Sequence, residues 1–193
     1  PLLENDKNKL LEIEKITNLG MQGDIGFRES LERRLSIASP TRSSIQNFVD
    51  IHCSHILTSG IKSLISELHK NGCKVWIFSG GLSDSIKPFA DVLNIPRENV
   101  FAVNVLWNAD GSFHSLDNDN GACDSKLVAF ERVKNLFAGG VIAVGDGYTD
   151  YQLKEVGFAD VFVAYTEHVA RDNVIKKSEF IAKNILELRS LVL

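Results

Sequence analysis

Residues 141–150 read VIAVGDGYTD, an apolar run that stops at a glycine, an aspartate and a second glycine, with a second aspartate three residues later. The run is rich in β-branched residues and follows Gly139-Gly140, which predicts a strand buried on both faces. In open parallel sheets, ligands bind beyond the carboxyl ends of the strands, so Asp146 lies where a ligand is expected. Its hard carboxylate oxygens suit magnesium. The alternative is a plain strand-to-helix turn in which Asp146 caps the helix.

The composition is that of a globular protein: 193 residues, 44% hydrophobic, 24% charged, with a net charge of −4. This length suits one core domain, or a core with a small inserted subdomain. The scattered Lys and Arg residues lack the basic surface that nucleic-acid binding requires. No apolar run approaches the length of a membrane span, and no signal peptide is recognisable. Three widely spaced cysteines argue against a disulfide framework or a zinc site. We therefore expect a cytoplasmic protein without nucleic-acid or membrane partners.

The first part of the chain carries helical patterns with no strand among them. Such patterns cover residues 8–19, with Gly20 as a C-cap, and residues 27–37. A third helix is predicted to begin with Ser39 as N-cap and Pro40 at its first position. Together they predict a small helical cap over residues 1–55, followed by an α/β core over residues 56–193.

A second apolar run, residues 75–78, ends in Ser79-Gly80-Gly81. It follows a predicted helix that is N-capped at Thr58, and it predicts another strand buried on both faces. The Ser79 hydroxyl and the unobstructed backbone amides of Gly80 and Gly81 can approach an oxyanion at the head of the next helix. The alternative is a plain turn, because small residues suit any such connection.

A β-hairpin is predicted near residues 100–116, because Asp110-Gly111 is a turn signal between two strand patterns.

Two other stretches have the composition of metal sites. Residues 50–55, DIHCSH, have no second ligand cluster elsewhere, and residues 117–121, DNDNG, lack the carboxylate that an EF-hand needs at its twelfth position. Both are therefore predicted to be polar loops.

Lys126 lies in the first turn of a predicted helix that Asp124 caps and that extends to Phe137. A lysine at a helix N-terminus opposes the helix dipole unless an anion is nearby. Lys126 is therefore a candidate phosphate ligand, and the alternative is an ordinary surface lysine. Further along the chain, the patterns predict a helix over residues 151–156, a strand over 160–164 and a terminal helix over 184–193.

The predicted features follow one another in a definite order: a strand, Ser-Gly-Gly, a lysine at a helix start, a second strand and GDGxxD. This order resembles that of the haloacid dehalogenase-like phosphatases. Residues 21–27, MQGDIGF, followed by residues 31–35, LERRL, resemble the cap of phosphoserine phosphatases, and the resemblance covers the whole chain. It implies an α/β fold with a Rossmann-like, doubly wound, mostly parallel sheet and a small helical cap. It also implies Mg²⁺-dependent hydrolysis of a small phosphomonoester, phosphoserine or a similar amino-acid phosphate, and a place in serine biosynthesis.

The resemblance assigns roles to the residues at the strand ends. Asp146 matches the magnesium-ligating aspartate, and Asp150 matches the acidic residue that supports the metal site. Ser79, the Gly80 amide and Lys126 match the groups that hold the transferring phosphoryl oxygens. Lys126 and Asp150 are thus the catalytic residues that the resemblance places within this chain.

The resemblance also assigns the substrate contacts. In the cap, Arg34 matches the arginine that binds the substrate carboxylate, and a forked guanidinium suits a carboxylate better than a point charge does. Met21 and Phe27 match apolar residues that close over the substrate. Thr149 stands where serine-specific members usually carry asparagine, so the substrate contact at this position is open.

One motif of the resemblance is absent. The family's DxDx[TV] strand supplies the nucleophile and the general acid/base, and it precedes the cap helices. We therefore expect the nucleophile upstream of Pro1, and we expect no turnover from residues 1–193 alone. The alternatives are a non-catalytic phosphoryl-binding fragment or the same chemistry on another small phosphate ester. A generic nucleotide-binding domain is disfavoured, because no GxGxxG follows any predicted strand.

Overall fold

The structure is a computed structural model that describes residues 6–22, 24–53 and 55–193, with only the backbone described for Met21 and Gln22. The helices are α1 (Lys7–Gln22), α2 (Phe27–Ala38), α3 (Arg42–His52), α4 (Ile61–Lys70), α5 (Ser83–Val92), α6 (Lys126–Glu131), α7 (Tyr148–Glu155), α8 (Asp172–Ile175) and α9 (Ile185–Val192). The strands are β1 (Ile77–Leu82), β2 (Val100–Trp107), β3 (Phe113–Asp117), β4 (Ile142–Gly145), β5 (Val161–Tyr165) and β6 (Phe180–Ala182). None of the described helices combines the length and apolar character needed to cross a membrane.

The chain forms two compact units. Unit 1 comprises the described residues up to Ile56 together with Trp76–Ser125, and unit 2 comprises Leu57–Val75 and Lys126–Leu193. Both units pack helices on a sheet that contains parallel strands, which confirms the predicted α/β class. The units divide the chain differently from the cap over residues 1–55 and the core over residues 56–193, and that division stays a prediction.

Unit 1 contains a sheet of order β1-β2-β3, in which β2 is parallel to β1 and antiparallel to β3. The β2–β3 pair confirms the predicted hairpin, and Gly111 supplies the positive φ of 80° that its turn requires. Helix α2 buries Leu31 and Leu35 against Val103 and Cys123 of this unit. Apolar burial of this kind is the main stabilising contribution to the unit.

Unit 2 contains an all-parallel sheet of order β4-β5-β6. Its core brings together Leu64 of α4, Val163 of β5, Ala182 of β6 and Leu188 of α9. The terminal helix begins as predicted, because the Asn184 side chain accepts hydrogen bonds from two backbone amides of its first turn. The short elements α8 and β6 were not predicted, since neither is long enough to show a hydrophobic period.

Two helix ends in unit 1 differ from the prediction. Helix α1 continues through Gly20 instead of ending there, and a Cβ at Gly20 would lie 2.7 Å from the Ser30 hydroxyl oxygen of α2. This glycine therefore permits the close approach of two helices. Ser39 has φ 43° and ends α2, while Thr41 caps α3 through reciprocal bonds with Ser44 at 3.1 and 2.9 Å. The capping box decides the start of α3 because it satisfies two amides at once.

Three further boundaries were wrong. Helix α3 extends to His52, so the first half of residues 50–55 is helical and not a loop. The residue at the N-cap of α4 is Gly60, with φ 83°, and not Thr58, which was predicted to hold that place. Helix α6 ends at Glu131, and the Asp124 carboxylate accepts from Arg28 at 3.0 Å and Asn118 at 2.6 Å. Side-chain partners from elsewhere in the chain therefore override the local capping pattern.

The predicted burial of two strands was also wrong. Strand β1 is half-buried throughout and includes Ser79, Gly80 and Gly81, which were expected to follow it. In β4, Ile142 and Val144 are 43% and 41% exposed. The reason is that each strand lies at the edge of its three-stranded sheet among the described residues, so one flank has no neighbouring strand.

Candidate active site

A buried carboxylate organises the turn that follows β4. Asp150 lies in the first turn of α7 and is 9% exposed. One of its oxygens accepts a hydrogen bond from the Gly147 amide at 3.1 Å, and the other accepts from the Lys126 ammonium. The first bond fixes the Gly-Asp-Gly turn, and the second holds the ammonium at the start of α6. The structure thus brings together two residues that the sequence had marked separately.

Alanine at position 150 is expected to lower the free energy of unfolding of the 193-residue chain by about 3 kcal/mol. Removing Asp150 leaves the Lys126 side chain, which is 21% exposed, without its counter-charge, and such a loss costs about 3–5 kcal/mol for fully buried pairs. Urea denaturation measures the change. The exposed Lys134–Glu131 pair provides the control, since Glu131→Ala is expected to cost less than about 1 kcal/mol. Equal losses from both substitutions would contradict a special role for Asp150.

Asp146 forms an ion pair that the sequence analysis missed. Its carboxylate, 46% exposed, accepts a hydrogen bond from Arg171, and the same guanidinium nitrogen donates to the Asp146 carbonyl oxygen at 3.1 Å. Arg171 immediately precedes the unpredicted helix α8. Nothing in its local sequence indicates this contact, because the two residues lie 25 positions apart and meet only through the fold.

The turn that follows β4 offers one carboxylate ligand of the kind that magnesium binds. The Asp146 carboxylate stands at the carboxyl end of β4, half-exposed, with a cationic group already beside it. Within residues 6–22, 24–53 and 55–193, no group of three or more His, Cys, Asp or Glu side chains is arranged to hold a metal ion. Magnesium is commonly bound through one or two carboxylates, with water and substrate phosphate completing the shell. Asp146 therefore fits as one protein ligand, and Thr149 lies half-buried in the adjacent turn of α7.

In unit 1, the structure brings Phe27 of α2 onto Gly80. A Cβ at Gly80 would lie 2.7 Å from the Phe27 ring, so the backbone here has no room for a side chain. The Ser79 hydroxyl oxygen accepts a hydrogen bond from the Gly81 amide at 3.1 Å, which leaves the hydroxyl proton free to donate to an anion. A small polar strand segment is thus covered by an aromatic ring.

Replacing Gly80 with alanine is expected to displace the Phe27 ring and to lower the free energy of unfolding by about 1–3 kcal/mol, as overpacking does. Urea denaturation of the chain tests this. Gly139→Ala is the matched control, because a Cβ at Gly139 meets nothing within 4 Å. Equal urea midpoints for Gly80→Ala and Gly139→Ala would show that the Phe27 ring moves aside without loss of stability.

Arg34 differs from its neighbours on α2. Arg28 and Arg33 each pair with a carboxylate, whereas Arg34 donates only to the Ser30 carbonyl oxygen at 3.1 Å and has no carboxylate partner in the described part of the chain. Burial lowers the pKa of the Arg34 guanidinium from its ordinary value. A half-buried cation without a counter-ion is available to an anionic group of a ligand. The side chain of Met21, predicted to act beside it, lies outside the described residues.

Known hydrolases share the fold and much of the sequence of this chain. The fold is that of the haloacid dehalogenase-like hydrolases: a HAD-family hydrolase from Salmonella enterica serovar Typhi matches at a TM-score of 0.69 and 20% identity, over 89% of this chain and 57% of that one. A phosphoserine phosphohydrolase-like protein from Francisella tularensis matches at a TM-score of 0.95 and 60% identity, over 100% of this chain and 89% of that one. No protein-family model matches the chain.

Two curated relatives are informative. The phosphoserine phosphatase of Lactococcus lactis is 32% identical over 186 residues, which cover 89% of this chain and 83% of that protein. The chloroplastic phosphoserine phosphatase of Arabidopsis thaliana is 32% identical over 179 residues, which cover 91% of this chain but 59% of that protein. The chain belongs to the phosphoserine phosphatase family, a family of phosphoric monoester hydrolases.

Proposed function

We propose that this protein hydrolyses a small phosphorylated metabolite, phosphoserine or a similar amino-acid phosphate, with the help of magnesium. The observation that carries the proposal is the Lys126–Asp150 pair. It fixes a partly exposed ammonium at the N-terminus of α6, where a phosphoryl oxygen would find a rigid positive charge. The names of the relatives agree with this chemistry.

In this proposal, the residues of the chain bind and orient the phosphate ester. By the sequence resemblance, Ser79, the Gly80 amide and Lys126 are each proposed to donate to a phosphoryl oxygen. Asp146 supplies a carboxylate ligand for magnesium, and Arg171 keeps that carboxylate oriented. The metal, when bound, would neutralise negative charge that develops on the transferring group.

The proposed nucleophile is an aspartate on a strand upstream of Pro1. Its carboxylate oxygen would attack phosphorus, and the serine oxygen would leave with a proton from the general acid, giving an aspartyl-phosphate. Water would then cleave that acyl phosphate, releasing inorganic phosphate and restoring the carboxylate. Residues 1–193 would supply the phosphate-binding groups and the substrate contacts for both steps.

A substrate panel tests the proposal. The full-length protein is incubated with Mg²⁺ and with phosphoserine, phosphoethanolamine and sugar phosphates, and release of inorganic phosphate is measured. We expect the highest kcat/KM for phosphoserine, with no release when the metal is removed by a chelator. Equal rates across the panel would overturn the assignment to amino-acid phosphates. Absence of turnover, with retained binding of inorganic phosphate, would indicate a non-catalytic phosphoryl-binding protein.

The Arg34→Ala variant is expected to lower kcat/KM for phosphoserine by about 10–100-fold, mainly through KM, because a charge-assisted hydrogen bond contributes about 1.5–3 kcal/mol. Phosphoethanolamine has no carboxylate, so its kcat/KM is expected to stay unchanged. Arg33→Ala is the control, since Arg33 is exposed and paired with Glu29. An equal loss on both substrates would mean that Arg34 acts on the fold and not on the carboxylate.

A further inference from the structure

A polar cavity of about 360 Å³ lies in unit 1, apart from every residue that the proposed function uses. It is lined by one face of α5, by the turn that precedes β2 and by the β2–β3 hairpin. The lining includes Ser83, Asp84, Lys87, Arg97, Asn104 and Asp117. Its volume is at the lower end of the range for small-ligand pockets.

The polar groups of this cavity are held in place before any ligand arrives. The Trp107 indole nitrogen donates to the Asp84 carboxylate at 3.0 Å. The Ser83 hydroxyl, on a residue 5% exposed, donates to the Asn104 amide oxygen at 2.6 Å. The Asn104 amide nitrogen in turn donates to Asp119 at 2.7 Å. Groups that are already ordered lose little conformational entropy when a ligand binds.

The lining carries two cations, Lys87 and Arg97, and two carboxylates, Asp84 and Asp117, but one of the cations is already paired with a carboxylate outside the lining. Arg97 is neutralised by two hydrogen bonds to Asp91, at 3.0 and 2.6 Å. Lys87 has no ion pair or hydrogen bond with the described residues, and it lies one helical turn from Asp84 on α5. Asp117 is the cross-strand partner of Asn104, so its side chain is on the same face of the hairpin. The cavity therefore offers one unpaired ammonium and two carboxylates.

We propose that this cavity binds an α-amino acid as its zwitterion, with the ligand ammonium toward Asp84 and Asp117 and the ligand carboxylate toward Lys87. A zwitterion satisfies both signs of charge at once. A phosphate dianion would bring excess negative charge to the two carboxylates, and a simple amine would leave Lys87 unpaired. Pro88 and Val105 in the lining give a short side chain an apolar contact. This binding site is independent of the proposed function.

The test uses the 193-residue chain, labelled with ¹⁵N, and follows the indole N–H signal of Trp107. That proton is donated to Asp84, so ligand binding at the carboxylate is expected to shift it. Trp76→Phe assigns the signal, because the chain has two tryptophans. We expect a saturable shift with L-serine and with L-alanine. Acetate and ethylamine, each carrying one of the two charges, are expected to give no saturable shift at the same concentrations.

Two variants locate the site. Lys87→Gln is expected to raise Kd for L-serine by about 10-fold or more, as loss of a charged hydrogen bond does. Lys62→Gln, on α4 and outside the cavity, is expected to leave Kd unchanged. A Trp107 shift that survives Lys87→Gln but disappears with Arg34→Ala would place the ligand in the candidate active site and overturn the proposal. So would the absence of a saturable shift with both amino acids. Because no hydrolysis is measured, failure of the proposed function leaves this result standing.

Discussion

Asparagine at position 146 is expected to reduce magnesium-dependent phosphoserine hydrolysis by about 10³-fold. The substitution keeps the size of the side chain but replaces a charged oxygen ligand with a neutral amide. Charge stabilisation by a bound metal contributes several kcal/mol, and each 1.36 kcal/mol corresponds to about a factor of ten in rate. Asp146 is half-exposed in a turn, so the variant is expected to fold normally. The measurement is kcat/KM of the full-length protein over a magnesium titration.

The ion pair with Arg171 requires a control of its own, because Asp146→Asn also weakens that pair. Arg171→Gln removes the same ion pair but leaves the carboxylate available to the metal. We expect its loss of kcat/KM to be clearly smaller. Asp172→Asn, next to Arg171 in the first turn of α8, is expected to have no effect. Metal ligation by Asp146 is wrong if Arg171→Gln and Asp146→Asn lose kcat/KM equally. It is also wrong if Asp146→Asn requires the same magnesium concentration as the wild type.

The fold class could be predicted because the signals for it are local. The hairpin depends on Asp110-Gly111, and α9 on Asn184, which caps its first turn. In each case the deciding residues lie within a few positions of the element. The predicted start of α3 at Ser39 was wrong, because only the folded chain shows that the Thr41 side chain finds its capping partner.

Burial and pairing could not be predicted for the opposite reason. The apolar run around Val144 correctly indicates a strand, but its exposure depends on how many strands flank it. The positions of Asp146 and Asp150 at a strand end follow from the sequence. Their partners, Lys126 and Arg171, lie about 25 residues away. Lys126 could be marked as a candidate ligand from its place at a helix start, but nothing local indicates its pairing with Asp150, and Arg171 has no local signal at all. Sequence reasoning thus finds the chemical groups, whereas the contacts that orient them require the structure.

Replacing Gly145 with alanine is expected to lower the free energy of unfolding by about 4 kcal/mol, more than removing the Asp150 side chain. A Cβ at Gly145 would lie 2.2 Å from the Asp150 Cγ and 2.5 Å from its Cβ. The contact is with the base of a buried side chain, which cannot rotate away without losing its bonds to Gly147 and Lys126. The stability lost through overpacking and the stability lost with the broken buried pair therefore add. Urea denaturation of the 193-residue chain measures the loss.

A double-mutant cycle separates this clash from a general intolerance of β4 to alanine. Asp150→Gly removes the atoms that the new Cβ would meet, so Gly145→Ala is expected to cost clearly less in that background than in the wild type. Gly140→Ala, just before β4, is the control, because a Cβ there meets only an Asp160 oxygen at the ordinary distance of 3.6 Å. If Gly145→Ala costs the same with and without the Asp150 side chain, the glycine is required by the strand itself. A cost that falls with Asp150→Gly shows that Gly145 is there to admit the carboxylate that fixes Lys126.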